Sequence, residues 1–249
     1  MKRVLFALSA LTMILCVTAL RSQDLQEIMS QVADPTRKAE FKSEYTFDAF
    51  VQMELTTTRK DGKPGKKVLL DSYLNKGGGS YAMAFTQEGT PVSIILDKDN
   101  GSLLMLTESE GSKMGMVMAV NADAIGALSE GSGQKAGTDS FEPLKTGNSK
   151  SIQGYPCEEY LIEEGSGEIR VWASEKLGEE LGKEALSNQQ TFGGAFTHAV
   201  FVNGMVMEFQ SIDKKSGEKS SLTITRLELN GSHTISTSGY NVMSMGQFQ

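Results

Sequence analysis

Residues 44–55 read EYTFDAFVQMEL, and this stretch decides the fold class. Its odd-numbered positions, from Tyr45 to Leu55, are all apolar, whereas its even-numbered positions are polar except for Phe50. Successive side chains of a β-strand point to opposite faces, so this alternation is typical of a strand with one apolar face. The sequence therefore predicts one long strand here.

Further runs of strand length follow, separated by turns such as 61–65 (DGKPG) and 97–101 (DKDNG). Strands joined by short turns are typical of an antiparallel meander. The predicted strands cover residues 68–75, 80–86, 92–96, 103–108, 113–120, 152–163, 168–173, 200–212, 221–229 and 234–238. We therefore expect a mainly β fold with a few short helices.

The helices are predicted from apolar spacing and from capping residues. Residues 24–37 carry apolar side chains three and four positions apart, and Asn121 can cap a helix over 121–128. A third helix, capped by Ser174, carries the leucines Leu177, Leu181 and Leu186. Residues 129–150 are rich in Gly, Ser, Thr and Lys and are predicted to form a flexible loop. A domain averages about 150 residues, and we expect one domain over 24–249.

The first 23 residues have the pattern of a secretory signal peptide. A basic start, Met1-Lys2-Arg3, precedes an apolar run over 4–20 and a polar exit at 21–23. Two alternatives are a membrane anchor and lipid attachment at Cys16. We expect export to the periplasm or cell envelope and removal of this segment.

Removal of the signal peptide leaves Cys157 as the one cysteine, so the mature chain would form no internal disulfide. A reactive thiol needs a base or a positive charge nearby, yet Glu158 and Glu159 follow this residue. Carboxylates raise the pKa of a thiol. We therefore expect Cys157 to be a small buried or half-buried apolar residue.

Charge and motifs exclude several functions. The formal net charge is -7 and the isoelectric point about 5.0, whereas nucleic-acid binding requires clustered Lys and Arg. The sequence has no G-x-S-x-G elbow, no P-loop and no H-E-x-x-H, and its two histidines, His198 and His233, are 35 positions apart. We therefore expect no catalytic residues, no metal site, no cofactor and no nucleic-acid partner, which means a protein that is not an enzyme.

Methionine is the unusual feature, with thirteen in 249 residues. Several methionines alternate at strand period, which places them on one face of a strand. A methionine-lined wall adapts to variable apolar shapes because the side chain is unbranched and polarizable. Such residues are either ordinary core or the lining of a ligand cavity. The candidate ligand-binding residues are Met53, Met83, Met114, Met116, Met118, Met205 and Met207.

Residues 152–160 (IQGYPCEEY) and 168–173 (EIRVWA) are similar to the central signature of domain-of-unknown-function family 4412, a family of exported bacterial proteins. Residues 204–208 (GMVME) and 238–240 (SGY) also resemble its pattern, and the likeness covers residues 47–245. The resemblance implies a fold like that of the periplasmic lipoprotein carriers LolA and LolB. In that fold a curved antiparallel sheet forms an open half-barrel that is covered by a few short helices. Transfer of lipid binding on this basis is analogy at the level of the fold.

Two functions remain as hypotheses. The first is an exported, non-enzymatic protein that binds an apolar ligand, such as the acyl chain of a lipid or lipoprotein, in a methionine-lined half-barrel. The second is a structural or interaction module of the cell envelope, with a filled core, that docks on an envelope protein.

The signal-peptide pattern yields the first testable prediction. N-terminal sequencing of the protein recovered from the cell envelope should begin between Leu20 and Leu25, because cleavage follows the apolar run. An acyl mass on Cys16 would show lipid attachment instead. Intact Met1 on cytoplasmic protein would contradict export.

Overall fold

The computed structural model describes residues 33–121, 143–164, 167–183, 185–186 and 204–244. Within these ranges lie fourteen strands and one helix, α1, Glu175–Leu181. The first seven strands are β1 (Glu44–Phe47), β2 (Ala49–Thr58), β3 (Pro64–Leu74), β4 (Tyr81–Gln87), β5 (Thr90–Asp97), β6 (Ser102–Ser109) and β7 (Ser112–Ala119). The others are β8 (Leu144–Ile152), β9 (Tyr155–Glu164), β10 (Gly167–Ser174), β11 (Met205–Asp213), β12 (Lys219–Glu228), β13 (His233–Ser236) and β14 (Asn241–Ser244).

Twelve of these strands form one large curved sheet, in the order β14-β7-β6-β5-β4-β3-β2-β12-β11-β10-β9-β8. Every pairing is antiparallel except the parallel pair of β14 and β7. The sheet does not close into a barrel, and β14 and β8 are its edges. The predicted mainly β fold is confirmed. The expected cover of a few helices is not borne out, since α1 is the one complete helix within the described residues.

The long strand predicted over residues 44–55 is cut at Asp48. Its first part, β1, pairs with β13 in a separate two-stranded sheet, whereas β2 joins the large sheet. Two hydrogen bonds hold Asp48 at the break, one through its side chain and one through its backbone. Its carboxylate accepts a hydrogen bond from the Lys76 backbone N–H at 3.0 Å, and its carbonyl accepts one from the Gly231 N–H at 3.1 Å.

The register of the large sheet defines two faces, because residues opposite each other on neighbouring strands share a face. Met53 lies opposite Leu70 on β3 and Ile224 on β12, and we call their side the methionine face. The opposite side, which carries Tyr73 and Leu104, is the outer face. The main hydrophobic cluster includes methionine-face residues of β2, β3, β4, β5, β10, β11 and β12, together with residues of α1.

The outer face of β4–β7 is covered by the small sheet of β1 and β13. Tyr45 and Phe47 of β1 join a cluster with the outer-face residues of the meander, and Ile235 of β13 packs against it. The outer-face members are Ala82, Ile95, Leu104, Leu106, Val117 and Ala119. Strands therefore cover this side of the meander.

Helix α1 begins where the sequence places its cap. The Ser174 hydroxyl accepts a hydrogen bond from the Leu177 N–H at 3.3 Å, and Leu177 and Leu181 are buried in the main cluster. Gly178 packs against the chain entering β11, where an added Cβ would come within 2.7 Å of the Gly204 Cα. The predicted cap is therefore confirmed, whereas the helix ends at Leu181 and does not include the predicted Leu186.

Two other expectations need correction. The helix predicted over 24–37 is absent from residues 33–37, the part of this range that the structure describes. Ala33 instead forms a β-bridge with Val120, and the Asp34 N–H donates to the Ala119 carbonyl at 2.8 Å. The loop predicted over 129–150 ends earlier, since residues 144–150 belong to β8. The signal peptide over 1–23, residues 24–32, the helix over 122–128 and the remainder of the loop, 129–142, lie outside the described residues.

Strand β8 forms despite its polar sequence because a buried carboxylate holds it. The Glu159 side chain on β9 is 4% exposed and accepts three hydrogen bonds. They come from the Thr146 hydroxyl at 2.8 Å, the Asn148 side-chain amide at 2.6 Å and the Arg170 guanidinium at 3.2 Å. The bond from Asn148, followed by those from Thr146 and Arg170, lowers the pKa of Glu159 in spite of its burial.

We expect Glu159→Gln to destabilise the protein by about 1–3 kcal/mol at neutral pH, because its amide nitrogen cannot accept a hydrogen bond and the charge-assisted bonds to the buried carboxylate are lost. A lowered folded-state pKa contributes stability above the usual value near 4.5, and this stability is lost as the pH falls through the folded pKa. The difference from the native chain should therefore shrink under acidic conditions.

Urea unfolding at pH 7 and at acidic pH measures this effect. Glu158→Gln is the matched control, because this neighbouring carboxylate is half exposed and its ion pair with Lys145 contributes little. Equal destabilisation by the two variants at both pH values would contradict the role given to Glu159.

Candidate functional site

The register brings all seven methionines predicted as ligand contacts to the methionine face. On the meander, Met83 lies opposite Ile94, Ile94 opposite Met105, and Met105 opposite Met116. Met114 and Met118 flank Met116 at strand period and share its face. Met205, Met207 and Phe209 are two residues apart along β11 and share one face. Phe209 lies opposite Leu222 of β12, and Leu222 lies opposite Leu55 of β2, which is two residues from Met53. Alternation in the sequence assigned these methionines to the faces of individual strands, and the fold joins those faces on one side of one sheet.

Burial divides these seven residues into two groups. Met53, Met118, Met205 and Met207 are buried and belong to the packed hydrophobic clusters. Their role as ligand contacts stays a prediction. Met83 and Met116 are half-buried, and Met114 is 37% exposed. The accessible part of the methionine face therefore lies on β4–β7.

Three consecutive rows of side chains cross β4–β7 on this face, and none of their twelve members is charged. We call this surface the apolar strip. Its rows are Tyr81, Leu96, Leu103 and Met118; Met83, Ile94, Met105 and Met116; Phe85, Val92, Thr107 and Met114. At about 4.8 Å per strand, four strands span roughly 14 Å.

The polar atoms of the apolar strip are few and neutral. The Tyr81 hydroxyl lies 3.3 Å from the Ser72 hydroxyl, and burial raises the pKa of Tyr81 to about 12. Thr107 contributes one half-buried hydroxyl. The outer face of the same strands is packed under β1 and β13. Within the strip, six residues are buried, and the accessible part is formed by the other six, among them Met83, Met105 and Met116. Chemically, the strip is suited to apolar contact.

Sequence reasoning missed Met105, which lies at the centre of the apolar strip. The alternation of Leu103, Met105 and Thr107 on β6 was the signal available. Met105 is half-buried and packs against the main cluster.

A polar cleft of about 520 Å³ lies elsewhere, between β1 and the turns that follow β3 and β5. It is lined by Lys42, Glu44, Tyr45, Thr46, Asn75, Gly77, Gly78, Gly79, Ser80 and Asp99. The Lys42 ammonium in this cleft forms an ion pair with the Asp99 carboxylate, at a distance of 2.6 Å. The Tyr45 hydroxyl donates to Asp97 at 3.0 Å, and burial raises the pKa of Tyr45. These walls are polar and do not suit an apolar ligand.

The described residues contain no cluster of three His, Cys, Asp or Glu side chains that could hold a metal ion. His233 lies 3.4 Å from Glu228, measured from its Nε2 to a carboxylate oxygen, whereas His198 lies outside the described residues. In the part of the chain that is described, no helix is both long enough and apolar enough to cross a bilayer.

Cys157 is buried, as the sequence analysis expected. Burial is the main cause that raises the pKa of its thiol, and Glu208 adds to it, while Lys150 acts in the opposite direction. The thiol lies 3.4 Å from the Tyr155 carbonyl, to which it donates. A buried thiol with a raised pKa is a poor nucleophile at neutral pH.

Comparison with protein families gives one match, in which the model of Domain of unknown function (DUF4412) covers residues 47–200. No curated protein matches the sequence.

Three solved structures with a similar chain path are distant in sequence. PNGF-II is 10% identical with a TM-score of 0.36; the match covers 79% of this chain, which spans 31% of the PNGF-II chain. An uncharacterized conserved protein from Thermus thermophilus is 8% identical with a TM-score of 0.40, with 89% of this chain and 99% of that chain covered. Lipoprotein LppX from Mycobacterium tuberculosis is 10% identical with a TM-score of 0.33, with coverages of 84% and 97%.

The burial of Cys157 yields a test with a thiol reagent. In a full chain carrying Cys16→Ser, Ellman's reagent should react slowly with the native protein at pH 7 and rapidly in urea, because unfolding exposes the thiol. Cys157→Ala should cost about 1 kcal/mol or somewhat more and leave ligand binding intact. Rapid labelling of the native thiol with loss of binding would contradict a structural role.

Proposed function

The chain belongs to the DUF4412 family, and we propose that it is an exported, non-enzymatic protein that binds a long acyl chain on its apolar strip. The observation that supports this proposal is the set of twelve uncharged side chains on the methionine face of β4–β7. Six of them are buried, whereas Met83, Leu103, Met105, Thr107 and Met116 are half-buried and Met114 is exposed. The outer face of the same strands is packed under β1 and β13. The acyl chain would belong to a lipid or a lipoprotein of the cell envelope.

The size of the strip is adequate for useful affinity. An acyl chain gains ~0.8 kcal/mol for each methylene removed from water. About ten methylenes thus supply ~8 kcal/mol before the costs of association, and micromolar affinity corresponds to about 8 kcal/mol. Longer chains, or contacts beyond the strip, offset those costs. We expect micromolar or tighter binding of long acyl chains, with no turnover.

Methionine suits this task because its side chain has three rotatable bonds and no branch. Met83, Met105, Met114 and Met116 can change rotamer to follow chains of different length and curvature. A row of Ile or Val would present a stiffer surface, since branching at Cβ restricts χ1. The adaptability of methionine therefore favours binding of a class of acyl chains over recognition of one particular ligand.

Export rests on the signal-peptide pattern of residues 1–23, which places the protein where lipids and lipoproteins are handled. The absence of catalysis remains part of the proposal. It is supported by the sequence, which has no recognised nucleophile or metal motif, and by the raised pKa of the buried Cys157 thiol.

A second candidate is the structural or interaction module with a filled core. The observation that favours it is the burial of Met53, Met118, Met205 and Met207 in packed clusters. On this alternative, the methionines fill the sheet's core and the protein acts by docking on an envelope protein.

Binding of a dansyl-labelled undecanoic acid, followed by its fluorescence, distinguishes the two candidates. The double variant Met105→Gln/Met116→Gln keeps side-chain size but places two amides in the strip. Covering an amide with hydrocarbon costs about 1–3 kcal/mol, so the Kd should rise at least about tenfold.

Leu69→Gln is the matched control, because Leu69 is 45% exposed on the outer face of β3. It should leave the Kd unchanged, and urea unfolding should show that all variants fold. A native chain that fails to bind the probe, or a double variant that binds it as tightly as the control, would overturn the acyl-chain proposal.

A further inference from the structure

The edge of the large sheet gathers thioether side chains from three neighbouring strands. Met105 on β6 lies opposite Met116 on β7, and Met116 lies opposite Met243 on β14. Met114 lies two residues before Met116 on the same face. We call Met105, Met114, Met116 and Met243 the edge methionines.

The face on which Met243 lies is established independently of the pairing register. Its neighbour Val242 packs against the outer-face cluster, and a Cβ added to Gly115 would come within 2.8 Å of the Val242 side chain. Successive residues of a strand alternate, so Met243 belongs to the methionine face together with Met105 and Met116.

The edge methionines differ from the core methionines in their access to solvent. Met243 is 45% exposed and Met114 is 37% exposed, whereas Met105 and Met116 are half-buried. A small ion can therefore approach Met243 and Met114 without unfolding of the sheet.

Directly opposed residues of neighbouring strands have Cβ atoms about 5 Å apart. The long, unbranched methionine side chain can direct its sulfur toward a point between such residues. Thioether sulfur is a soft ligand that selects soft metal ions such as Cu(I) over hard ones. A group of three or four thioethers with no ammonium or guanidinium among them thus has the chemistry of a soft-cation site.

We propose that Met105, Met116 and Met243, with Met114 beside them, bind one soft monovalent cation of the Cu(I) or Ag(I) class. This inference goes beyond acyl-chain binding, because it depends on the sulfur atoms and not on apolar area. The net charge of -7 favours the approach of a cation to the protein as a whole.

Silver nitrate is the probe, because Ag(I) needs no reductant. Titration by isothermal calorimetry, in a chloride-free buffer, uses the full chain carrying Cys16→Ser and Cys157→Ser, so that thiols contribute nothing. We expect one tight site per chain. The variant Met105→Leu/Met116→Leu/Met243→Leu should weaken this site at least tenfold, because leucine keeps the apolar volume and removes the sulfur.

Met205→Leu/Met207→Leu is the matched control, since these two methionines lie buried on the same face. It should leave the Ag(I) affinity unchanged. Absence of a tight site in the cysteine-free chain, or equal affinity in the triple leucine variant and the control, would overturn the proposal.

Two separate titrations distinguish this inference from the proposed function, because the Ag(I) titration contains no fatty acid and the fatty-acid titration contains no Ag(I). If the native chain did not bind the fatty acid but the cysteine-free chain bound Ag(I) tightly, the acyl-chain proposal would be rejected and the cation site would stand.

Discussion

The hydrogen-bond register of the large sheet is the constraint on which the rest of the structure depends. A one-residue slip between two strands would move every side chain beyond it to the opposite face. In this protein the register continues from β11 through β12 and β2 to β7 and keeps Met207, Met53, Met83 and Met116 on one side. The methionine face is thus a product of the pairing of many strands, although each methionine was placed by a local alternation.

The two sides of the meander are packed differently, and the cause is local. Asp48 ends β1 with two hydrogen bonds and lets the chain cross from the small sheet to the large one. As a result Tyr45 and Phe47 cover the outer face, while Ala49 and Val51 enter the main cluster. The outer face is therefore filled, and the half-buried surface of β4–β7 remains on the methionine side.

Methionine serves two purposes on this face. In the interior, Met205 and Met207 fill space in a packed cluster, where an unbranched chain tolerates irregular neighbours. On β4–β7 the side chains of Met83, Met105 and Met116 are half-buried and combine adaptable apolar area with a thioether sulfur. The two proposed ligands use these two properties separately: an acyl chain contacts the apolar area, and a soft cation contacts the sulfur atoms.

The sequence by itself determined the mainly β class, the period-two faces, the Ser174 cap and the burial of Cys157, because each depends on residues close in the chain. Only the tertiary structure decided that β1 leaves the large sheet at Asp48 and that the polar β8 is a strand, since partners distant in sequence fix both. It also decided which methionines are packed and which are accessible. Alternation identifies the face of a strand, but burial depends on what the rest of the chain places over that face, and no local pattern records this.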